Sequence, residues 1–355
     1  MNISEIAKKA DVSIATISRA LNPDESQKVA PDTLNRIHSL VKKYGYAPNL
    51  GAQSMRCSAF RTVGVVLPHF RGIFYTDYYV QVLNGVSDAL LDSGYHFKLI
   101  MLQSGKFHWD EDNNIIYINS KEADWDKYNF KTAEGVDGLI VAQWPLFFSD
   151  TRALQKLNIP CVAVNDPESC RRVNFLTEDS RMGGELAAQY LYSKGHRRIV
   201  VLTGISESRE SFMRVKGFKA FFDKMKVRTE IIILRGDFHE RKAARVVESF
   251  YKTTKRKVTA FFCCNDLMAF GVINKLRELG LSCPKDVSVI GYDDDRRAEF
   301  FEPPLTTIHV PVYELSKEAT LRLVGHLKGE IKQPFYGQTL FPVSLVERGS
   351  VAAVR

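Results

Sequence analysis

Arg19, Ile14 and Ala15 stand close together in NISEIAKKADVSIATISRALN (2–22), and their chemistry suits base edges. An arginine fork can donate two hydrogen bonds to guanine, and small apolar side chains can meet thymine methyls in a major groove. Ser13, Thr16 and Asn22, with nearby lysines, are of the kinds that hold phosphates. The elements that must position them are legible. Asn2 and Glu5 have the spacing of a capping box, and Ile3, Ile6, Ala7 and Ala10 recur at helical spacing. Asp11-Val12-Ser13 makes a turn, with Ser13 capping a second helix that faces Ile17 and Leu21 inward and leaves Ile14, Ala15, Ser18 and Arg19 towards solvent. Pro31 opens a third helix whose Ile37, Leu40 and Val41 complete a three-helix core. This is a helix-turn-helix whose second helix is expected in the major groove. The alternative is a small helical bundle whose exposed arginine binds nothing.

The segment YAPNLGAQSMR (46–56) could form a short conditional helix. Asn49 can cap it, Gly51 costs it about 1 kcal/mol, and so short a helix is marginal alone. Paired with its symmetry mate in a minor groove, it could insert Met55 as an apolar wedge between base steps. Charge agrees. Residues 1–61 carry nine basic groups against five acidic, which is half of the whole chain's net +8.

A second set of polar residues closes apolar runs further on. Asn165, Asn265 and Asp293 end the strand-like runs CVAVN, TAFFCCN and VSVIGYD, where ligands of open α/β sheets bind. Asn and Asp at strand ends also cap helices, so that reading stays open. Further strand-like runs are 62–68, 96–102, 138–142, 198–204 and 230–234, alternating with amphipathic stretches 79–93, 181–194, 214–225, 241–251 and 266–279. Such units imply parallel sheets covered on both faces, too many strands for one sheet, and hence two doubly wound subdomains.

SIATISRALN and YAPNLGAQSMR resemble the lac repressor family of bacterial transcription regulators. The body resembles that family's sugar-binding part, which is similar to periplasmic binding proteins, through VDGLIV (136–141), DSRMGGELA (179–187), GHRRIVVLTG (195–204), RVKGF (214–218), CNDLMAFGV (264–272), PKDVSVIGYDD (284–294), PPLTTI (303–308) and LVERGS (345–350). The resemblance implies base reading by Ile14, Ala15 and Arg19, and Met55 in place of an intercalating leucine. It implies effector contacts at Asn165, Arg214, Phe238, Asn265 and Asp293, with Val310 where another member has a polar contact. Phe238 could equally be core. The chain departs from the pattern at Asp11 in place of a turn glycine, and at Ala30 and Leu34 in place of a capping serine and an arginine. The expected organisation is a DNA-binding domain (1–46), a hinge helix and linker (47–61), and an effector-binding and dimerisation domain (62–355). In the last, the N-subdomain takes about 62–177 and 310–339, and the C-subdomain about 178–309 and 340–355.

These features predict a sequence-specific repressor. It would bind a palindromic operator in double-stranded DNA as a homodimer, controlled by a sugar, sugar phosphate or purine. The rival is a sugar-binding protein or enzyme on the same fold. Phosphate-loop, dinucleotide, nucleophile-elbow and zinc patterns are missing from the sequence, and no cofactor is expected. Cys57, Cys161, Cys170, Cys263, Cys264 and Cys283 show no metal-ligand spacing and read as reduced and structural. With 45% hydrophobic residues, no membrane-length apolar run and no export signal, the chain is expected in the cytoplasm, and its tail carries no leucine heptads for a tetramer. The stretch 106–131 departs from the pattern and reads as a strand hairpin near the cleft mouth or as a surface elaboration without a ligand role.

Overall fold

The structure is a computed structural model that describes residues 2–21, 26–46, 60–68, 73–102, 107–110, 115–118, 134–142, 159–165, 174–206, 208–254, 257–331 and 338–354. Asn22, Asn49 and Met55, the linker 47–59, Cys57 and Cys170 lie outside the described residues. The chain divides into two units, Met1–Arg61 and Thr62–Arg355.

In the first unit, α1 (Ile3–Ala10), α2 (Ile14–Ala20) and α3 (Pro31–Tyr44) pack around Ile6, Ile17 and Ile37, all fully buried. The capping box forms: Asn2 Oδ1 accepts from Glu5 N and Glu5 Oε2 accepts from Asn2 N, both at 2.9 Å. Asp11 takes φ 48°, the left-handed conformation that a turn glycine would adopt without cost, so the Asp replacement is tolerated there. Ala30 stands at the N-cap of α3 with no side-chain bond, and Pro31 follows. The third helix therefore starts on proline's fixed φ alone.

The second unit carries two parallel sheets. The first is ordered β13-β7-β6-β5-β1-β2, from Gln338–Phe341, Asn174–Glu178, Cys161–Val164, Gly138–Ala142, Thr62–Pro68 and His96–Leu102. The second is ordered β11-β10-β8-β9, from Ser288–Ile290, Ala260–Cys263, Arg198–Thr203 and Glu230–Arg235. All eight runs expected from the sequence are strands, and β5 and β10 are buried along their whole length, as strands covered on both faces must be. Two short strands, β12 (Thr307–His309) and β14 (Ser344–Val346), pair antiparallel. In the departure from the family pattern, β3 (Phe107–Asp110) and β4 (Ile115–Ile118) form an antiparallel pair.

Helices α4 (Asp77–Leu90), α5 (Ser180–Ser193), α6 (Arg209–Met225), α7 (Glu240–Thr253), α8 (Asp266–Glu278) and α9 (Val312–Leu327) accompany the sheets. The pair α5 and α6 approaches through glycines. A Cβ on Gly184 would fall 1.9 Å from the Arg214 carbonyl oxygen, and one on Gly217 would fall 1.9 Å from that of Arg181. Only hydrogen at these two positions lets the backbones sit so close.

Candidate functional site

The DNA-facing candidates divide by burial. On α2, Ile17 and Ala20 are buried, while Ala15 and Arg19 are exposed. Ile14 is only half-exposed. As the first residue of the helix it adjoins the turn and packs partly against the Ile6–Ile17–Ile37 cluster, so it offers less surface than its spacing predicts. Ser13 Oγ accepts from Thr16 N at 3.0 Å and shares a 2.9 Å hydrogen bond with Thr16 Oγ1, which fixes both hydroxyls at the start of the helix.

In the second unit, parallel strands deliver polar residues from their carboxyl ends. Glu178 ends β7 of the first sheet; Asn265 and Asp293 follow β10 and β11 of the second. Arg214, 7% exposed, projects from α6 and joins them. Its guanidinium donates to Glu178 Oε1 at 2.8 Å and to the Cys264 carbonyl at 2.5 Å, lies 3.6 Å from Asp293 Oδ1, and stacks 3.7 Å above the Tyr292 ring. Glu178 also accepts from Ser180 Oγ at 2.6 Å. An ion pair thus ties the end of one sheet to the first helix after a strand of the other.

Asn165, Phe238 and Asp293 have φ of 94°, 60° and 116°, a backbone region that side chains disfavour. Such strain gathers at ligand sites because surrounding structure must impose it. Asn265 caps α8, accepting from Met268 N at 3.0 Å and donating to the Phe238 carbonyl at 3.2 Å. The helix-capping alternative is therefore realised for Asn265, although its side chain still borders the cleft. The Phe238 ring lies against Gly204, where a Cβ would come within 2.1 Å of it.

A cavity of about 270 Å³ is lined by Asp77, Tyr78, Asn265, Asp293, Val310 and neighbours from both halves. Of the five expected effector residues, Asn265 and Asp293 line it, and Arg214 touches Asp293. Asn165 and Phe238 are not on its wall. Sequence reasoning missed Tyr78, Glu178, Glu210 and Tyr292. The Tyr78 and Tyr292 hydroxyls, one Glu210 oxygen and Arg214 Nε are buried without a hydrogen-bond partner among the described residues. Glu178 is the last residue of β7, whose mixed composition did not mark it as a strand, so the strand-end rule had no run there to act on.

Burial pushes the Glu210 carboxyl up to about 7, with the Glu178 charge adding to the effect. Burial likewise pushes Asp293 up to about 7, against the pull of Arg214. A raised carboxyl favours folding most when protonated, so its contribution is present below the ordinary value and lost as pH climbs through the folded one. For Glu210 that window runs from about 4.5 to about 7. Calorimetric melting of Glu210→Gln beside the parent should show the parent losing ground across this window and a steady gap above it. A gap that does not vary with pH would contradict the assignment.

Residues 2–49 match the family described as "Bacterial regulatory proteins, lacI family", and residues 188–351 match a periplasmic binding protein-like domain. The HTH-type transcriptional repressor PurR of Vibrio parahaemolyticus is 31% identical over 332 residues, 92% of each chain. That of Aliivibrio fischeri is 31% identical over 333 residues, 92% of this chain and 91% of its own. The chain belongs to the lacI family of bacterial regulatory proteins.

Two solved structures align with this lacI-family chain over 99% of both partners. The lac repressor dimer bound to operator and the anti-inducer ONPF has TM-score 0.81 at 22% identity, and the transcriptional regulator CelR–cellobiose complex has 0.69 at 25%. The chain is accordingly a DNA-binding transcription regulator with an effector-binding α/β body. Among the described residues, no helix is long and apolar enough to cross a membrane.

Proposed function

We propose that this chain represses transcription in the cytoplasm, binding a palindromic operator as a homodimer and answering to a sugar or sugar derivative in the cleft between its two parallel-sheet subdomains. In this reading residues 1–46 bind DNA, 47–61 form the hinge, and 62–355 bind effector and dimerise. Arg19, Ala15 and Ile14 read bases; Ser13, Thr16 and Asn22 hold phosphates; and Asn49 and Met55 serve the minor-groove hinge. Support comes from the solved relatives, one a dimer on operator DNA and one in complex with cellobiose. The curated relatives are repressors, which favours binding over catalysis.

One observation carries the reading: α2 is pinned on one side by buried Ile17 and Ala20 and leaves Ala15 and Arg19 outward on the other. A groove-entering helix needs that division. One such unit makes few contacts, so operator-grade specificity calls for two copies on two half-sites. Effector occupancy would then shift operator affinity by about 1–3 kcal/mol, the usual size of such coupling.

The test is selection of inverted-repeat duplexes from a random pool, followed by anisotropy titration of parent and Arg19→Ala. The variant should lose about 1–3 kcal/mol and relax its preference at a single base position in each half-site. An unchanged preference removes Arg19 from base reading. A parent that enriches no inverted repeat removes the regulator assignment and returns the solute-binding or enzymatic alternative.

A further inference from the structure

The cleft continues outward. A second cavity of about 570 Å³ shares Asp77 and Asp295 with the first and is walled by Phe74, Tyr75, Phe300 and Phe301. Phe74 and Tyr75 precede α4 beside the first sheet, whereas Phe300 and Phe301 follow β11 of the second. Three of these rings face solvent: Tyr75 is 89% exposed, Phe300 83% and Phe74 50%. Large aromatics so exposed on both sides of one opening mark a contact surface. The inner cavity alone falls just below the roughly 300–1,000 Å³ usual for small-molecule sites, and the outer one, which borders it at Asp77 and Asp295, lies within that range.

Charge selects the occupant. Asp77, Asp293, Asp294 and Asp295 line the inner cavity, and Glu178 and Glu210 lie behind it around Arg214. The cations that the two cavities and Arg214 contribute are each held by a carboxylate already: Arg214 by Glu178, Arg296 by Asp77, Arg297 by Asp295 and His309 by Asp294. An anionic ligand would meet cations already neutralised by carboxylates and would sit among further carboxylates. The charge-bearing side chains of the inner wall are carboxylates and one histidine, so the acceptors of a purine base would face carboxylates more often than cations. A polyol can turn every hydroxyl into a donor, which is what a carboxylate-lined wall accepts. Its ring also carries C–H faces that rest on the negative faces of aromatic rings.

We propose that the effector is an uncharged carbohydrate of at least two rings, one with its hydroxyls in the acidic inner cavity and the next stacked on Phe74, Tyr75 and Phe300. This rests on the reading of the cleft as the effector site. The outer ring would touch aromatics from both halves of the body at once, so ring number, beyond hydroxyl pattern alone, becomes part of the signal.

Isothermal titration of the full chain would use cellobiose, maltose, lactose, sucrose, trehalose, melibiose and chitobiose, with their monosaccharides, glucose 6-phosphate and hypoxanthine. At least one neutral disaccharide should bind at least tenfold more tightly than its component sugars and than glucose 6-phosphate. In Tyr75→Ala and Phe300→Ala, both altered at exposed positions, that ratio should fall below about threefold. Equal affinity for one ring and two, an undiminished ratio in both variants, tighter binding of the phosphate or purine, or no binding by any sugar overturns the proposal. Operator affinity without ligand, measured on the same preparations, tests the regulator reading separately: intact operator binding with a failed sugar panel removes the carbohydrate assignment alone.

Discussion

Arg214→Met is expected to destabilise the body by about 3–5 kcal/mol, because it leaves the Glu178 carboxylate buried without its ion partner. Glu178 is 4% exposed, and the Ser180 and Thr177 hydroxyls that also reach it supply hydrogen bonds but no charge. Adding Glu178→Gln should recover most of the loss, since replacing a buried pair by neutral groups is far cheaper than breaking it. Denaturant unfolding of the parent, both single variants and the double variant forms a cycle whose coupling energy reads the pair directly. If the double variant unfolds as readily as Arg214→Met, the penalty comes from lost packing on Tyr292 and the assigned role of Glu178 is wrong. The pair also joins the two halves of the body, so its loss should weaken effector binding more than stability alone predicts.

Gly184→Ala should cost at least about 3 kcal/mol, the upper part of the range for overpacking. Helix propensity works the other way, favouring alanine over glycine by about 1 kcal/mol. The clash wins because the atom in the way is the Arg214 carbonyl oxygen, which moves only with its helix. Gly217→Ala meets the Arg181 carbonyl in the same manner and should behave alike. Urea midpoints of the two variants decide the matter. A shift worth less than about 0.5 kcal/mol would mean that the helices separate easily, on a scale where ordinary surface changes lie. Because Gly184 abuts the backbone of Arg214 itself, forced separation should also displace the guanidinium from Glu178.

Periodicity exposed the long and fully buried elements, because a strand covered on both faces must be apolar throughout. GLIVA and AFFC left little choice. NFLTE and QTLF did not announce themselves: the first mixes Asn, Thr and Glu into its length, and the second lies at the sheet edge with exposure alternating along it. The helix Val312–Leu327 also escaped, since Lys, Glu and Arg interrupt its apolar residues and its N-cap is a proline without a capping side chain. In the DNA-binding unit, caps and turn chemistry were local and therefore readable, from Asn2 with Glu5 to Asp11.

At the cleft the strand-end rule found Asn265 and Asp293 but could not find Tyr78 or Glu210. Their part depends on which helices meet across two sheets, a pairing no short segment encodes. Arg214 was marked only by family likeness. Its role as the partner of Glu178 needed coordinates. The aromatic opening was equally silent, because single exposed phenylalanines are common and only their convergence on one space carries meaning.

The pairing of β13 with β7 sets the order in which this protein can be made. Gln338 takes its place beside Phe175 only after the whole second sheet, from Arg198 to Ile290, has been synthesised. On the ribosome the first sheet must therefore wait with β7 as a bare edge while a complete α/β block forms in between. Open strand edges are templates for wrong partners, and such distant pairing slows folding. The nascent chain is thus most in need of chaperone cover during the interval between Glu178 and Phe341.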